Sequence, residues 1–343
     1  MQWAERERRV ETSRDRLIGL AARLFGALDV RSRCVVLTLH RVGGDSAVSA
    51  DHVAQHFGYL RENYDLVLPS DILSRPRVPK RTAIVTVDDA HSCLYDVVFP
   101  IAKSMAVPLA VCIPTDFVLR GRWLWFDRLA WCLATGPAGR PLDTSLGSVV
   151  SGSPKSVNRL LAELKRLHPT RRDLVIEEIV QKIGVRAPDC PPTAWRPTTV
   201  EQLREMVATG LVEICSHSVT HPVVSTLNNE ELRLELTVSK SELESTFGKE
   251  VTAFCYPNGE QGDFDERTGK AVLDAGYRMA FTSIEGVNYA SRMKWLALRR
   301  VHAHARGAVF MKCASGLGDL QRLGAGVGVF RNGRAGSTAE AIE

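Results

Sequence analysis

The order of apolar and polar segments along the chain predicts an α/β fold. Short runs rich in branched and aromatic side chains alternate with longer segments in which apolar residues recur every three or four positions. The short runs are typical of buried strands, and the longer segments are typical of amphipathic helices. Because strands that alternate with helices usually form a parallel sheet, we expect such a sheet here. Strands are predicted at residues 34–39, 82–87, 109–113, 211–216, 252–256, 279–282 and 296–301.

The helical segments, and the breaks between them, divide the chain into three units. The alternation stops between residues 121 and 196, where Gly, Pro and Ser are frequent, and this stretch is predicted to be an insertion over one end of the core. The longest helix begins after Asn228 or Asn229 and ends at Gly248, since these residues are typical helix caps. Other helices are predicted at residues 5–29, 50–63, 95–105, 156–168, 171–183 and 200–208. The units are an N-terminal helix (1–33), a central domain (34–310) and a Gly-rich, then polar, flexible tail (311–343).

Leucines recur at helical spacing in the N-terminal segment, with arginines elsewhere on the helical wheel. The leucines are Leu17, Leu20, Leu24 and Leu28, and the arginines are Arg14, Arg16 and Arg23. Such an apolar face can pack against its own domain or rest on an anionic membrane surface. We expect packing against the domain, with peripheral contact to the inner membrane as the alternative.

Composition narrows the class of protein. A chain of 343 residues can bury the core of one large domain with appendages, or of two ordinary domains, so its stability requires no disulfide or metal. The formal net charge is only +5 and the cations are not clustered, which argues against nucleic acid as a partner. The eight cysteines include no Cys-x-x-Cys pair, and several lie in strand-like runs, as expected of buried thiols in a reducing compartment.

The sequence also bears on location. No apolar run reaches the roughly 18 residues needed to span a bilayer. The apolar patch near the N-terminus is short and is flanked by charges, unlike a secretory signal. We therefore expect a cytoplasmic protein; no feature of the sequence specifies an oligomeric state.

Two polar motifs follow predicted strands and indicate a metal centre. Asp88 and Asp89 come directly after one strand, and His217 and His221 come directly after another. The carboxyl ends of parallel strands share one end of a sheet or barrel, where active sites form. One Asp with two His leaves coordination positions open, which is typical of a catalytic metal site. Taken separately, a solvated turn would explain the aspartates, and surface or capping positions would explain the histidines.

A third motif, at residues 254–259, ends the next strand in a Pro-Asn-Gly turn. Pro257 fixes the approach of the chain, and Asn258 and Gly259 tolerate positive φ, so backbone N–H groups can point into a pocket. An ordinary turn is the alternative explanation for this motif.

Together these motifs resemble the polysaccharide deacetylase family, carbohydrate esterase family 4. Residues 86–90 (TVDDA) are similar to its Thr-Phe-Asp-Asp-Gly motif, residues 217–222 (HSVTHP) to its His-Ser/Thr-x-x-His-Pro/Ser motif and, more loosely, residues 256–259 (YPNG) to its Pro-Tyr-Gly motif. Residues 39–42 (LHRV) resemble a Tyr-His-x-Val segment of a bacterial exopolysaccharide-biosynthesis branch. The resemblance covers about residues 36–301 without the insertion, and it implies a distorted (β/α) barrel with fewer than eight regular strands.

The resemblance implies an enzyme that hydrolyses carbon–nitrogen bonds other than peptide bonds. Its reaction would be metal-dependent removal of N-acetyl groups from N-acetylhexosamine-containing oligo- or polysaccharides. Asp88 would be the general base, and the backbone N–H of Asn258 would hold the oxyanion. The metal ligands would be Asp89, His217 and His221. Zinc is the expected ion, and the same ligands accept cobalt, nickel or manganese.

The general acid that protonates the leaving amine has three candidates. His302 and His304 follow the last predicted strand, whereas His40 ends the first one. The resemblance of residues 39–42 to the bacterial branch favours His40.

Three positions depart from the family pattern. Val87 replaces Phe, which changes packing but no chemistry, and Ala90 replaces Gly, which is acceptable if that backbone has negative φ. Cys255 stands where many members have Arg. We expect an inert buried thiol there, and we expect Arg300, near the end of the last strand, to orient Asp88 instead.

The substrate contacts are expected in the third motif and in the insertion. They are Tyr256, Pro257 and Trp125. An aromatic cluster of Trp123, Trp125 and Phe126 can stack on sugar rings, although the insertion's own core is the commoner use of such side chains. Two other functions fit the same residues: hydrolysis of a different amide or ester, and a carbohydrate-binding homologue without turnover.

Overall fold

The computed structural model of the chain describes residues 13–44, 46–137, 139, 141–150 and 153–319. The strands in this part of the chain are β1 Arg33–Leu39, β2 Asp65–Leu66, β3 Arg81–Asp88, β4 Leu109–Ile113, β5 Pro141–Thr144, β6 Gly147–Val150, β7 Val212–Ser216, β8 Ala253–Cys255, β9 Met279–Glu285, β10 Asn288–Tyr289 and β11 Leu298–His302. The α-helices are α1 Ser13–Leu28, α2 Ala50–Asn63, α3 Pro69–Ser74, α4 Phe99–Met105, α5 Thr115–Arg120, α6 Trp125–Thr135, α7 Pro154–Lys165, α8 Pro169–Ile183, α9 Val200–Ala208, α10 Asn229–Phe247, α11 Glu266–Asp274 and α12 Gly307–Ala314.

Seven of these strands close into a parallel barrel in the order β1-β3-β4-β7-β8-β9-β11. Strand β1 pairs with β3 along its whole length, from Arg33 opposite Arg81 to Leu39 opposite Val87. Its other edge pairs with β11, which closes the barrel. The short β2 and β10 add to β3 and β1 outside the ring. The predicted (β/α) barrel with fewer than eight strands is confirmed, and all seven barrel strands lie where the sequence predicts them.

The barrel strands are buried on both faces, as parallel strands covered by helices should be. Alternate side chains fill the barrel interior, and the others pack beneath the helices. The interior includes Cys34, Val36, Ile84, Ala110, Cys112, Cys215, Ala253, Cys255, Met279, Phe281 and Leu298. Because the interior is filled, chemistry is confined to the carboxyl end of the barrel, where the polar side chains lie.

The predicted insertion at residues 121–196 forms a second hydrophobic core. Helices α6, α7 and α8 and the antiparallel hairpin β5–β6 enclose buried side chains that include Leu129, Leu164 and Ile179. The hairpin is absent from the sequence prediction. Trp125, at the start of α6, belongs to this core and is 7% exposed, so it is mainly a packing residue.

The N-terminal helix packs differently from the prediction. Helix α1 lies against α12 through Gly19, Ala22 and Gly26, which are buried, while its four leucines are exposed. The small residues allow the two helices to approach closely, since a Cβ added to Gly19 would lie 3.1 Å from the Met311 Cε. The prediction that the leucines pack against the domain is therefore wrong. The part of the predicted helix at residues 5–12 lies outside the described residues.

The predicted boundary between domain and tail is also wrong. Helix α12 runs across residue 311 because Phe310 and Ala314 are buried in the main core. The Phe310 ring stacks on His56, with the ring centroids 4.0 Å apart. The rest of the predicted tail, from residue 320, lies outside the described residues. Among the residues that are described, no helix is long and apolar enough to cross a membrane.

Candidate active site and metal centre

The alternation of side chains along three barrel strands carries polar groups to one end of the interior. The register that turns Ile84 inward also turns Asp88 inward at the end of β3. In the same way, His217 lies two residues after the inward-facing Cys215 of β7, and Arg300 lies two residues after the inward-facing Leu298 of β11. These three side chains are 1–2% exposed and come together from positions that span more than 200 residues of the chain.

Asp89 joins this group because its backbone leaves the strand conformation. Adjacent residues of a strand face opposite ways, but Asp89 and Ala90 have φ of 64° and 57°. Ser218 and His221 also have positive φ, at 67° and 56°. Such strain in residues other than glycine is typical of functional sites. The expectation that Ala90 has negative φ is wrong, and alanine occupies a left-handed position that suits glycine better.

Asp89, His217 and His221 bring three ligand atoms together. The Asp89 Oδ1 lies 3.7 Å from the His217 Nε2 and 3.5 Å from the His221 Nε2. The two Nε2 atoms are 3.2 Å apart. All three side chains are buried, so the sequence prediction of a shared Asp-His-His site agrees with the geometry.

The donor atoms of this group fit a divalent metal ion. The Asp89 Oδ1 is buried without a hydrogen-bond partner, and burial raises the pKa of Asp89 to about 7, as expected of a carboxylate that needs a nearby cation. The His217 Nδ1 donates to the Cys255 carbonyl oxygen at 2.7 Å. Because a carbonyl only accepts, this bond puts the ring proton on Nδ1 and leaves the Nε2 lone pair free. Burial also lowers the pKa of His221 well below its usual value, which keeps that ring neutral.

The loop that carries both histidines is held by its own hydrogen bonds. The His221 backbone N–H donates to the Ser218 hydroxyl. Glu235, on α10, accepts from the backbone N–H groups of Val219 and Thr220 at 2.7 and 3.0 Å. From the other side, the Trp125 indole N–H donates to the His221 carbonyl oxygen at 3.1 Å. Helix α10 and the insertion therefore both hold the loop that carries the two histidines.

A second group of possible ligands, Asp88, Cys112 and Cys255, fits a metal less well. Burial raises the pKa of both thiols well above the usual value, which disfavours the thiolate that a metal requires. The Asp88 carboxylate already has a cationic partner in Arg300. Cys255 is therefore the inert buried thiol that the sequence predicts, with its Sγ 3.6 Å from the Asp88 Oδ1.

Arg300 supplies the cationic partner of Asp88 that Cys255 cannot supply. Its Nη1 lies 2.8 Å from the Asp88 Oδ1 and 2.7 Å from the Oδ2. The guanidinium is fixed by donating to the Thr282 carbonyl oxygen at 2.6 Å and to the Thr86 and Ser283 hydroxyls. Burial alone would raise the pKa of Asp88, but the Arg300 charge outweighs it and holds this pKa below its usual range. Asp88 is therefore an ionised carboxylate beside the Asp-His-His group, as a general base must be.

The three candidate general acids occupy different places. The His40 Nε2 lies 3.4 Å from the Asp88 Oδ2, and this side chain is 50% exposed at the mouth of the barrel. The His302 Nε2 is bonded to the Ser283 carbonyl oxygen at 3.1 Å. His304 is turned away toward α2, where its backbone N–H donates to His56. The geometry favours His40, which combines contact with the base and access to substrate.

The substrate contacts expected in the third motif need correction. Tyr256 is fully buried, stacks on Phe264 and donates from its hydroxyl to the Leu296 carbonyl oxygen, so it packs outside the barrel. Strand alternation could have shown this, because Cys255 faces inward and its neighbour must then face outward. Pro257 is also buried. Asn258 is half-buried with φ of 60° and a side-chain nitrogen without a partner, which fits the predicted turn.

Sequence reasoning missed a polar cluster around Asp127. The Asp127 carboxylate is buried on α6 and lies 2.8 Å from the His91 Nε2 and 2.6 Å from an Arg41 nitrogen. Arg41 in turn lies over the Trp195 ring, with its guanidinium carbon 4.2 Å from the ring centroid. The only signal was that His91 follows the aspartate motif by two positions and that Arg41 follows His40. The cluster connects the insertion to the rim of the site.

Comparison with known families agrees with this geometry. The family model for polysaccharide deacetylases matches residues 170–280, which include both histidines of the centre. Over these residues the chain resembles the polysaccharide deacetylase family. The predicted resemblance to this family is confirmed over these residues, and the match supports the predicted N-deacetylase class. No curated protein sequence matches the chain.

Solved structures of deacetylases share the fold of this chain. The deacetylase PplD of Streptococcus pyogenes, solved with acetate, superposes with a TM-score of 0.55 at 16% identity, over 82% of this chain and 99% of that one. The IcaB structure from Ammonifex degensii superposes with a TM-score of 0.50 at 20% identity, over 82% of this chain and 97% of that one. The BpsB deacetylase domain from Bordetella bronchiseptica superposes with a TM-score of 0.51 at 19% identity, over 80% of this chain and 98% of that one. At these identities the likeness shows the fold alone.

Proposed function

We propose that this protein removes N-acetyl groups from N-acetylhexosamine-containing oligo- or polysaccharides in a metal-dependent hydrolysis. The observation that carries the proposal is the position of an ionised Asp88 beside the three converging ligand atoms of Asp89, His217 and His221. A base next to a metal centre with open positions suits hydrolysis of an unactivated amide. Zinc is the expected ion for two imidazoles and one carboxylate.

The residues of the chain divide the proton transfers between them. Asp88 takes the proton of the attacking water, while Arg300 holds its carboxylate in place and ionised. When bound, the metal ion supplies Lewis-acid polarisation of the acetamide carbonyl and lowers the pKa of water. The backbone N–H of Asn258 stabilises the oxyanion, and His40 donates a proton to the departing amine. His40 is suited to this step because its ring reaches both Asp88 and the open mouth of the barrel.

We place this reaction in bacterial exopolysaccharide or cell-surface glycan biosynthesis. Support comes from residues 39–42, which resemble the segment of that branch and place His40 at the mouth of the barrel. We also place the protein in the cytoplasm. All eight cysteines are free thiols, and four of them line the barrel interior, where no oxidising environment is needed for stability.

The test is acetate release from a chitooligosaccharide by zinc-loaded protein, compared with Asp88→Asn and with Asp71→Asn. Asp71 is the matched control because it is a carboxylate at the start of α3, next to Ser70, which bonds to Glu213 near the start of β7 and hence at the opposite end of the barrel. The wild type and Asp71→Asn should release acetate, and Asp88→Asn should lose a factor of about 10²–10⁴ in kcat while keeping its zinc. Zinc binding without acetate release would contradict the proposed substrate and point to another amide or ester. Full activity of Asp88→Asn would contradict the proposed base.

A further inference from the structure

Helix α1 presents an apolar face that no other described part of the chain covers. Leu17, Leu20, Leu24 and Leu28 are 68%, 56%, 56% and 77% exposed, and Val30, just after the helix, is 74% exposed. These are five of the ten large apolar side chains that are strongly exposed among the described residues. Single exposed leucines are ordinary, but a continuous row of them on one helix marks an interaction surface.

The helix cannot turn this face inward, because its opposite face is fixed. Gly19, Ala22 and Gly26 are packed on α12. At one end Asp15 pairs with Arg306, and just beyond the other end Asp29 pairs with Arg33 at 2.8 Å. These contacts of the opposite face therefore fix the outward direction of the leucines.

The charges of α1 lie beside the apolar face and not within it. At about 100° per residue, the arc from Ala27 to Ala21 that holds all four leucines contains no charged residue. Arg14 borders this arc on one side, Arg16 and then Arg23 border it on the other, and all three are exposed. An apolar ridge bordered by cations on both sides is complementary to an anionic bilayer, in which acyl chains lie beneath negative headgroups.

We propose that α1 docks the protein peripherally on an anionic lipid surface, with its axis in the plane of the membrane and the four leucines among the acyl chains. The face is a convex ridge on a single helix, which suits a bilayer better than a protein groove. The Asp15 end of α1 pairs with Arg306, four residues beyond the end of β11 and hence at the catalytic end of the barrel. Docking therefore brings the mouth of the barrel close to the headgroups.

The experiment is flotation of the full-length protein with vesicles of phosphatidylcholine alone or with phosphatidylglycerol added. The test variant is Leu17→Gln/Leu20→Gln/Leu24→Gln/Leu28→Gln. A matched control replaces three leucines that are similarly exposed on other helices, Leu174→Gln/Leu234→Gln/Leu273→Gln. The wild type and the control should bind the anionic vesicles, and the test variant should lose about tenfold or more of that binding. Arg14→Gln/Arg23→Gln, or added salt, should weaken binding by a smaller factor.

Three results would overturn the proposal. They are equal vesicle binding by the wild type and the test variant, no vesicle binding by the wild type, and a wild-type dimer in light scattering that the leucine substitutions abolish. The last result would assign the face to a second copy of the chain. Near-UV circular dichroism checks that the fourfold test variant is folded. If that variant does not fold, the single variants Leu17→Gln and Leu28→Gln take its place. Acetate release from a soluble chitooligosaccharide should be unchanged, so docking and deacetylation are tested separately.

Discussion

At the scale of single residues, Asp88 and Asp89 are neighbours with opposite electrostatic environments. Asp88 follows the strand register and meets a buried arginine, which keeps it ionised. Asp89 leaves the register at φ of 64° and meets two imidazoles, with its pKa raised to about 7 by burial. One carboxylate is therefore ready to accept a proton, and the other is ready to hold a cation.

The contact between Arg300 and Asp88 leads to a prediction about Arg300→Gln. We expect kcat for acetate release to fall about 10²-fold with zinc binding retained, because Asp88 loses the cation that orients its carboxylate and keeps it ionised. The measurement is steady-state kinetics, together with the zinc content of each variant.

A double-mutant cycle separates this role from simple destabilisation. In an Asp88→Asn background, Arg300→Gln should cause little further loss, because the arginine acts through the aspartate. Arg33→Gln is the matched control, since Arg33 is also a buried, carboxylate-paired arginine but lies at the other end of the barrel. Unchanged kcat in Arg300→Gln, or an equal loss in Arg33→Gln, would count against the assignment.

Residue roles that are local in sequence were predictable, and others were not. The two motifs predict that Asp88, Asp89, His217 and His221 lie together, because each motif is a short pattern after a strand, and the structure places them together. Because Cys255 stands where many members have Arg, another arginine was expected beside Asp88, and the structure places Arg300 there. Tyr256 was misassigned because the motif resemblance was given more weight than the inward–outward alternation of β8. The Asp127 cluster depends on long-range packing, which no local pattern records.

At the scale of elements, the insertion does more than cover one end of the barrel. Helix α6 begins with Trp125, whose indole N–H donates to the carbonyl oxygen of His221, one of the proposed metal ligands. The Phe126 ring also packs edge-on against the His221 ring, with centroids 5.2 Å apart. The insertion, which interrupts the alternation of strands and helices in the sequence, thus orients one of the proposed metal ligands.

We predict that Trp125→Phe weakens zinc binding about tenfold, because the aromatic volume is kept while the His221 carbonyl loses its donor. The measurement is competition with a chromophoric zinc chelator. Trp123→Phe is the matched control, since its indole donates to the Pro188 carbonyl within the insertion, away from the ligands. Equal affinities for both variants and the wild type would show that the insertion does not position the centre.

Elements with a strong pattern were predicted closely. Helices α2 and α9 have the predicted ends, and the caps of α10, Asn228 and Gly248, are those that the sequence indicated. The missed elements are those with weak patterns, such as the exposed β5–β6 hairpin and the short α3 and α5. The leucines of α1 were misplaced because periodicity shows which residues share a face and not which face the domain covers.

At the scale of the whole molecule, barrel closure creates the site. The pairing of β1 with both β3 and β11 brings His40, Asp88 and Arg300 to one end of the interior. These residues come from the beginning, the first third and the end of the chain. Sequence order predicts that parallel strands alternate with helices, but which edges meet depends on packing across the whole barrel.

The central claim is that one metal ion, held by Asp89, His217 and His221, is required for deacetylation. The most direct measurement titrates metal-free protein with zinc and follows bound metal and acetate release in the same samples. We predict that both saturate together at about one equivalent of zinc, as expected for a single three-ligand catalytic site. His217→Ala should show neither zinc binding nor acetate release, and His302→Ala should keep the bound zinc. Acetate release that is undiminished in the metal-free protein, or full zinc binding by His217→Ala, would contradict the account.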